Sequence, residues 1–132
     1  MAIPTQATSG TEVLRRGSVN SQSTTDTYLK FDNTATTAAG NQSNTVPALH
    51  IVTVLNVTFC EQGNQSDEKF TMWAEGPHSS GIHFIYHQAI GAYGTFVWSQ
   101  KIVLIGGDGL LINTAASANI DIYYSYIDQS WV

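Results

Sequence analysis

The chain has 132 residues and a mass of 14.3 kDa, which suits one domain with a substantial core. Its formal net charge of −5 and pI of about 5.0 argue against a nucleic-acid partner, because neutralising phosphates requires clustered Lys and Arg. No apolar run approaches the roughly 20 residues that span a bilayer. The N-terminus also lacks the basic and apolar regions of a signal peptide, so we expect no membrane partner and a reducing cytoplasm.

Charged residues make up 11% of the chain, against roughly 25% in an average soluble domain. Ser, Thr, Asn and Gln take their place, and a surface with so few charges favours a protein that is assembled with neighbours. Cys60 is the one cysteine, so neither an intramolecular disulfide nor a thiolate metal site is expected. Because free cysteines are often buried, we predict an inert, buried thiol at the end of a strand.

The first 23 residues are polar and mostly lack periodicity. Val13 and Leu14, next to the basic pair Arg15 and Arg16, are the exception and predict a short edge strand or a docking peptide. We expect residues 1–23 to form an extended arm that lies on a neighbouring chain, with packing inside the same chain as the open alternative. Residues 24–132 then form the folded domain.

Alternation of apolar and polar residues predicts four strands in the middle of the chain, at Thr25–Phe31, His50–Cys60, Lys69–Glu75 and Ile82–Ile90. In the second of these strands, Ile51, Leu55, Val57 and Phe59 fall on one face with Thr53. Both faces carry apolar residues, as expected of a central strand that is covered on two sides. Polar residues between the first two strands predict a long loop, Asp32–Thr45. Those after the second strand, Glu61–Asp67, predict a hairpin loop.

The C-terminal stretch Thr95–Gln129 predicts further strands, in a meander broken by turn residues. Gly106-Gly107-Asp108-Gly109 fits a hairpin turn in which the Asp108 side chain closes the turn. Such a meander must bury one face against a second sheet. The total of about eight strands without a helix predicts a single antiparallel β-sandwich of jelly-roll type.

No motif predicts catalysis, a cofactor or a metal. His83 and His87 lie four residues apart, which on a strand separates them by about 13 Å, too far to chelate one ion. A metal held between symmetry-related chains stays open. The glycine-rich turn is followed by strand residues rather than by the helix that a phosphate loop needs. No serine lies in a nucleophile-elbow motif, so we expect a protein that is not an enzyme.

Aromatic residues make up 11% of the chain and fit two roles. They can fill a core or a subunit interface, which we favour, or form an exposed row that stacks on sugar rings. Trp131, the penultimate residue of the sequence, must dock or dangle, and we expect it to dock on a neighbour.

The C-terminal half contains a series of short motifs, which are Tyr86–Ala92, Gly94–Val97, Lys101–Leu104, Gly106–Asp108, Asn119–Ile122 and Ser125–Gln129. Through these motifs, and more weakly through Leu14–Gly17, the chain resembles a family of small virion proteins of tailed bacteriophages. The resemblance covers roughly residues 82–131. In that family a strand, a small-residue corner, Thr-Phe, an apolar strand, Gly-Gly-Asp and another apolar strand follow one another.

The resemblance implies a non-enzymatic structural protein of the virion. We expect a capsid decoration (cement) protein that forms a homo-oligomer, with a trimer favoured, assembles in the host bacterial cytoplasm, and binds the major capsid protein or other virion proteins. A tail, neck or baseplate subunit and a glycan-binding accessory module are the alternatives. The expected contact residues are Val13, Leu14, Arg15, Arg16, Trp131 and Val132.

Overall fold

The computed structural model describes residues 11–22, 24–31, 45–63, 68–77, 79–115 and 119–130. These residues form nine strands and no helix. The strands are β1 (Thr11–Gln22), β2 (Thr27–Tyr28), β3 (His50–Glu61), β4 (Lys69–Gly76), β5 (Ser79–Ala89), β6 (Thr95–Trp98), β7 (Ile102–Ile105), β8 (Gly109–Thr114) and β9 (Ile120–Ser130). In this part of the chain, therefore, no helix is long and apolar enough to cross a membrane.

The strands form two antiparallel sheets. One has five strands, in the order β1-β9-β3-β6, with β7 also paired to β3, and the other has four, in the order β2-β8-β4-β5. β6 and β7 pair with consecutive parts of β3 and act as one interrupted edge strand, so that each sheet has four strand positions. Most connections pass from one sheet to the other, which is the connectivity of a jelly roll. The predicted all-β, jelly-roll-like sandwich is confirmed.

The predicted meander is wrong in its connections. β7 and β9 belong to the five-stranded sheet, but β8 between them belongs to the other sheet. The turn at Gly106–Asp108 therefore crosses between sheets and is not a hairpin. The same holds for the segment between β3 and β4, which connects opposite sheets. Alternation along a strand tells which side chains point inward, but it does not identify the neighbouring strand.

The core lies between the sheets and is rich in aromatic rings. Phe59 of the five-stranded sheet stacks on Phe70 of the other, with ring centroids 4.2 Å apart. Phe31 packs edge-on against Tyr124 and Tyr126, at 5.7 and 4.9 Å. A fully buried side chain of this kind contributes about 1.5–3 kcal/mol of transfer free energy, so these contacts hold the sheets together.

A bulge in β3 changes which of its residues face the core. Val52, Val54, Val57 and Phe59 are fully buried, and the pairing with β9 shifts register between Val54 and Asn56. Leu55 is the extra residue, and opposite it Ser99–Lys101 interrupts β6 and β7. The predicted grouping of Ile51 and Thr53 with Val57 and Phe59 on one face is therefore wrong, because an inserted residue reverses the alternation.

β1 lies within the segment that the sequence predicts to be an arm. Thr11–Gln22 pairs along β9, and Val19 and Gln22 of this strand are buried. Packing inside the same chain, the open alternative, is thus what the structure has for residues 11–22, and the folded part begins well before residue 24. Residues 1–10 of the expected arm lie outside the described residues.

Candidate interaction surface

The outer face of the five-stranded sheet carries two rows of side chains that run across the strands. In the first row, Leu14, Ile127, Thr53 and Val103 are register partners. Leu14 is 70% exposed and Val103 62% exposed. These side chains point away from the core because their strand neighbours point into it.

The second row lies toward the other end of the same face. It joins Ser18, Tyr123, Thr58 and Val97 across the four strand positions. Val97 is 54% exposed and Tyr123 is 45% exposed. We call the two rows together, with Ile51 and Ile105, the apolar face.

The apolar face carries few charges. The outward residues of β3, β6 and β7 include no charged side chain: they are Ile51, Thr53, Leu55, Asn56, Thr58, Cys60, Thr95, Val97, Val103 and Ile105. The charged residues Glu12, Arg16, Lys101 and Asp121 lie at its margins. Soluble monomers rarely expose large contiguous apolar patches, so a surface of this composition is typical of a protein interface.

Cys60 lies on this face and is exposed, which corrects the predicted buried thiol. Its neighbour Phe59 points into the core, so the alternation of β3 turns the thiol outward. The thiol borders a shallow groove of about 330 Å³ that Thr58, Asp121 and Tyr123 also line. The sequence signal for exposure was present in this alternation, but the general tendency of cysteine to be buried outweighed it in the prediction.

Arg15, one of the expected contact residues, has partners inside the chain. Its Nε donates a hydrogen bond to Oδ2 of Asp128 at 3.2 Å, and Nδ1 of His50 contacts Oδ1 of the same carboxylate at 2.7 Å. The Asp128 side chain is only 6% exposed, against 26% for Arg15 and 28% for His50. The cluster fixes β1 and β3 to β9, and it makes Arg15 a structural residue.

The other expected contact residues differ in position. Leu14 and Arg16 are exposed on the outer side of β1, and Val13, on its other side, is 39% exposed. The structure therefore leaves Leu14 and Arg16 free for a partner to reach. Trp131 and Val132 lie outside the described residues.

The Asp108 side chain closes the turn between β7 and β8. Oδ2 of Asp108 accepts a hydrogen bond from the Ile105 N–H at 3.0 Å, and Gly107 has a φ of 93°, so the predicted closure of the turn by Asp108 is confirmed.

His83 and His87 are both exposed on β5. Among the described residues, no three His, Cys, Asp or Glu side chains form a group that could hold a metal ion.

The described aromatic residues divide between core and surface. Tyr124 and Tyr126 are buried, and Trp98 packs against Phe84 at the edge of the core with centroids 6.0 Å apart. Tyr86 and Tyr93, by contrast, are each 67% exposed. Filling of the core therefore explains only part of the aromatic content.

A wider groove of about 780 Å³ lies at one end of the sandwich. Residues 45–51 line it together with Gly106 and Gly107, and His50 is the one titratable side chain among them. That imidazole contacts Oδ1 of Asp128 at 2.7 Å and so belongs to the cluster that joins β1 and β3 to β9.

Comparison with solved structures finds a weak likeness, whereas no family model matches the chain and no curated protein is similar to it. The structure of Eiger TNF from S. frugiperda shares 12% sequence identity with it, with a TM-score of 0.35, over 95% of this chain and 87% of that chain. At this level the likeness adds nothing to the fold described above.

Proposed function

We propose that this chain is a non-enzymatic structural protein of a tailed-phage virion, a capsid decoration protein that forms a homo-oligomer, with a trimer favoured. The observation that carries the proposal is the apolar face, which extends over all strand positions of the five-stranded sheet and has charges only at its margins. The resemblance of residues 82–131 to small phage virion proteins gives the proposal its biological setting.

An uncharged face suits contact between identical chains. Each chain has a net charge of −5, so copies repel one another unless they meet where charge is absent. Burial of Leu14, Val97 and Val103 removes apolar area from water at about 25 cal/mol per Å², which favours association. An oligomer then presents several equal contacts to the capsid, and their multivalency compensates for weak individual contacts.

The test compares two substitutions of equally exposed residues. Val97 on the apolar face and Ile82 on the opposite sheet are both 54% exposed. We expect Val97→Glu to convert the oligomer to a monomer in light scattering and to abolish co-sedimentation with empty capsids, because it buries a charge in the interface. Ile82→Glu should leave both unchanged. A wild-type chain that is monomeric and does not bind capsids would contradict the proposal.

Substitutions of the neighbouring residues Arg16 and Arg15 test a capsid contact and the stability of the chain separately. Arg16→Ala should lower capsid occupancy without changing the melting temperature, if Arg16 pairs with an acidic shell protein. Arg15→Ala should lower the melting temperature, because it leaves the buried Asp128 without its cation. A tail, neck or baseplate subunit could use the same face, and co-sedimentation with purified tails rather than heads would identify that alternative.

A further inference from the structure

The outer face of the four-stranded sheet carries a chain of ring contacts on β4 and β5. Trp73 lies 5.8 Å from His83, His83 lies 5.1 Å from Tyr86 in an edge-on arrangement, and Tyr86 stacks on His87 at 4.3 Å with an angle of 3° between the planes. Trp73 is 7% exposed and forms the base, while Tyr86 is 67% exposed and stands in solvent. We call these four residues the aromatic cluster.

The backbone of β5 is distorted where the cluster is formed. Neighbours in a regular strand point to opposite faces, yet Tyr86 and His87 stack on each other. His87 has a φ of 50°, in the left-handed region that non-glycine residues rarely adopt, and this brings its imidazole alongside Tyr86. The His87 N–H donates to Oγ1 of Thr71 at 3.1 Å, and Thr71 is only 5% exposed. Such local distortions are common at functional sites.

Polar groups lie along the aromatic cluster. Nε1 of Trp73 donates to Oε2 of Glu75 at 2.8 Å, which holds that carboxylate next to the cluster. The structure gives the rings of His83 and His87 only aromatic contacts among the described residues, so their nitrogens can bond to a ligand. The cluster thus combines one free aromatic surface with several hydrogen-bonding groups.

We propose that the aromatic cluster binds a pyranose ring of a neutral polysaccharide. The C–H face of a sugar ring carries partial positive charge and fits the negative face of the Tyr86 ring. The hydroxyl groups at the edge of the same sugar can bond to His83, whose ring meets Tyr86 edge-on, while His87 supports the opposite face of the Tyr86 ring. A polar group placed beside an apolar surface is typical of small-ligand sites. This site lies on the sheet opposite the apolar face and does not depend on the proposed function.

The full chain is first screened on an array of immobilised bacterial surface polysaccharides. A neutral polysaccharide that it binds on the array is then cast into native gels, and binding is measured as retardation of the chain in affinity electrophoresis. We expect retardation of the wild type and a loss of affinity of about tenfold or more in Tyr86→Ala, since loss of ring stacking removes its main contact. Tyr86→Phe keeps the ring and should bind nearly as well. Tyr93→Ala removes a tyrosine that is also 67% exposed, but outside the cluster, and should not change binding.

His87→Gly separates a binding role from a structural one. Glycine adopts a φ of 50° without strain, so the variant should be at least as stable as the wild type, while loss of the stacked imidazole weakens retardation. A wild type that binds no polysaccharide on the array would overturn the proposal. So would binding that Tyr86→Ala leaves unchanged.

Discussion

Gly17 of β1 allows Tyr124 to reach across the sandwich. The tyrosine ring lies directly over the glycine, where a β-carbon would collide with Cζ and the hydroxyl oxygen. That hydroxyl donates to the Lys30 carbonyl at 2.7 Å and accepts from the Lys30 N–H at 2.8 Å. One side chain thus holds together β9, β1 and the segment that follows β2.

We therefore expect Gly17→Ala to lower the free energy of unfolding by about 1–3 kcal/mol, because the ring must move and its hydrogen bonds are strained or lost. Urea denaturation followed by circular dichroism measures this change. In a Tyr124→Leu background the same substitution should cost less than about 1 kcal/mol, since the colliding atoms are gone. Equal costs in both backgrounds would show that the ring is not the cause.

Single residues differ in how far their roles could be predicted. The role of Asp108 follows from Gly-Gly-Asp, because turn chemistry is local in sequence. Glu61, assigned to a polar loop, is instead 1% exposed and accepts hydrogen bonds from the N–H groups of Gly63 and Tyr93. Burial of this carboxylate depends on a partner 32 residues away, which no local pattern reveals.

At the scale of elements, β3 shows why the positions of the strands could be predicted from the sequence, whereas the side chains that share a face could be predicted only in part. Its predicted range, 50–60, differs from the observed one by a single residue. The bulge at Leu55 matches the interruption between β6 and β7, and these features depend on each other across the sheet. A pattern read along one strand cannot detect an irregularity that two strands share.

The isosteric pair Val52 and Thr53 tests the register of β3. Val52 is 0% exposed, and Thr53 is a partly exposed residue of the apolar face. We expect Val52→Thr to lower the free energy of unfolding by about 1–3 kcal/mol, because it buries a hydroxyl group among apolar side chains. Thr53→Val should change it by less than about 0.5 kcal/mol, as surface substitutions usually do.

Chemical denaturation of both variants at a concentration where the chain is monomeric gives the comparison. If Thr53→Val changed the free energy of unfolding more than Val52→Thr does, Thr53 would have to face the core, and the bulge at Leu55 would be contradicted. Because Val57 and Phe59 are buried, the predicted grouping of Thr53 with them on one face would require that order of costs.

At the scale of the molecule, the two sheets present different outer faces. The five-stranded sheet exposes aliphatic side chains with few charges, while the four-stranded sheet exposes the aromatic cluster with hydrogen-bonding groups. The sandwich separates these surfaces, so either can change without disturbing the other.

Cys60 offers a direct measure of whether the apolar face is covered. Its thiol is exposed in the single chain and lies on the same face as Val97. If copies associate through this face, we expect the wild type to react slowly with a thiol reagent and the rate to rise on dilution. Val97→Glu should react fast at every concentration, and Ile82→Glu should behave like the wild type.

Measurement of the labelling rate against protein concentration, with light scattering on the same samples, links reactivity to oligomer size. Cys60→Ser provides the blank, since the chain has no other cysteine. A wild-type oligomer whose thiol reacts as fast as that of Val97→Glu would mean that the chains associate through another surface. The apolar face would then be left for the capsid, and protection should appear only after capsids are added.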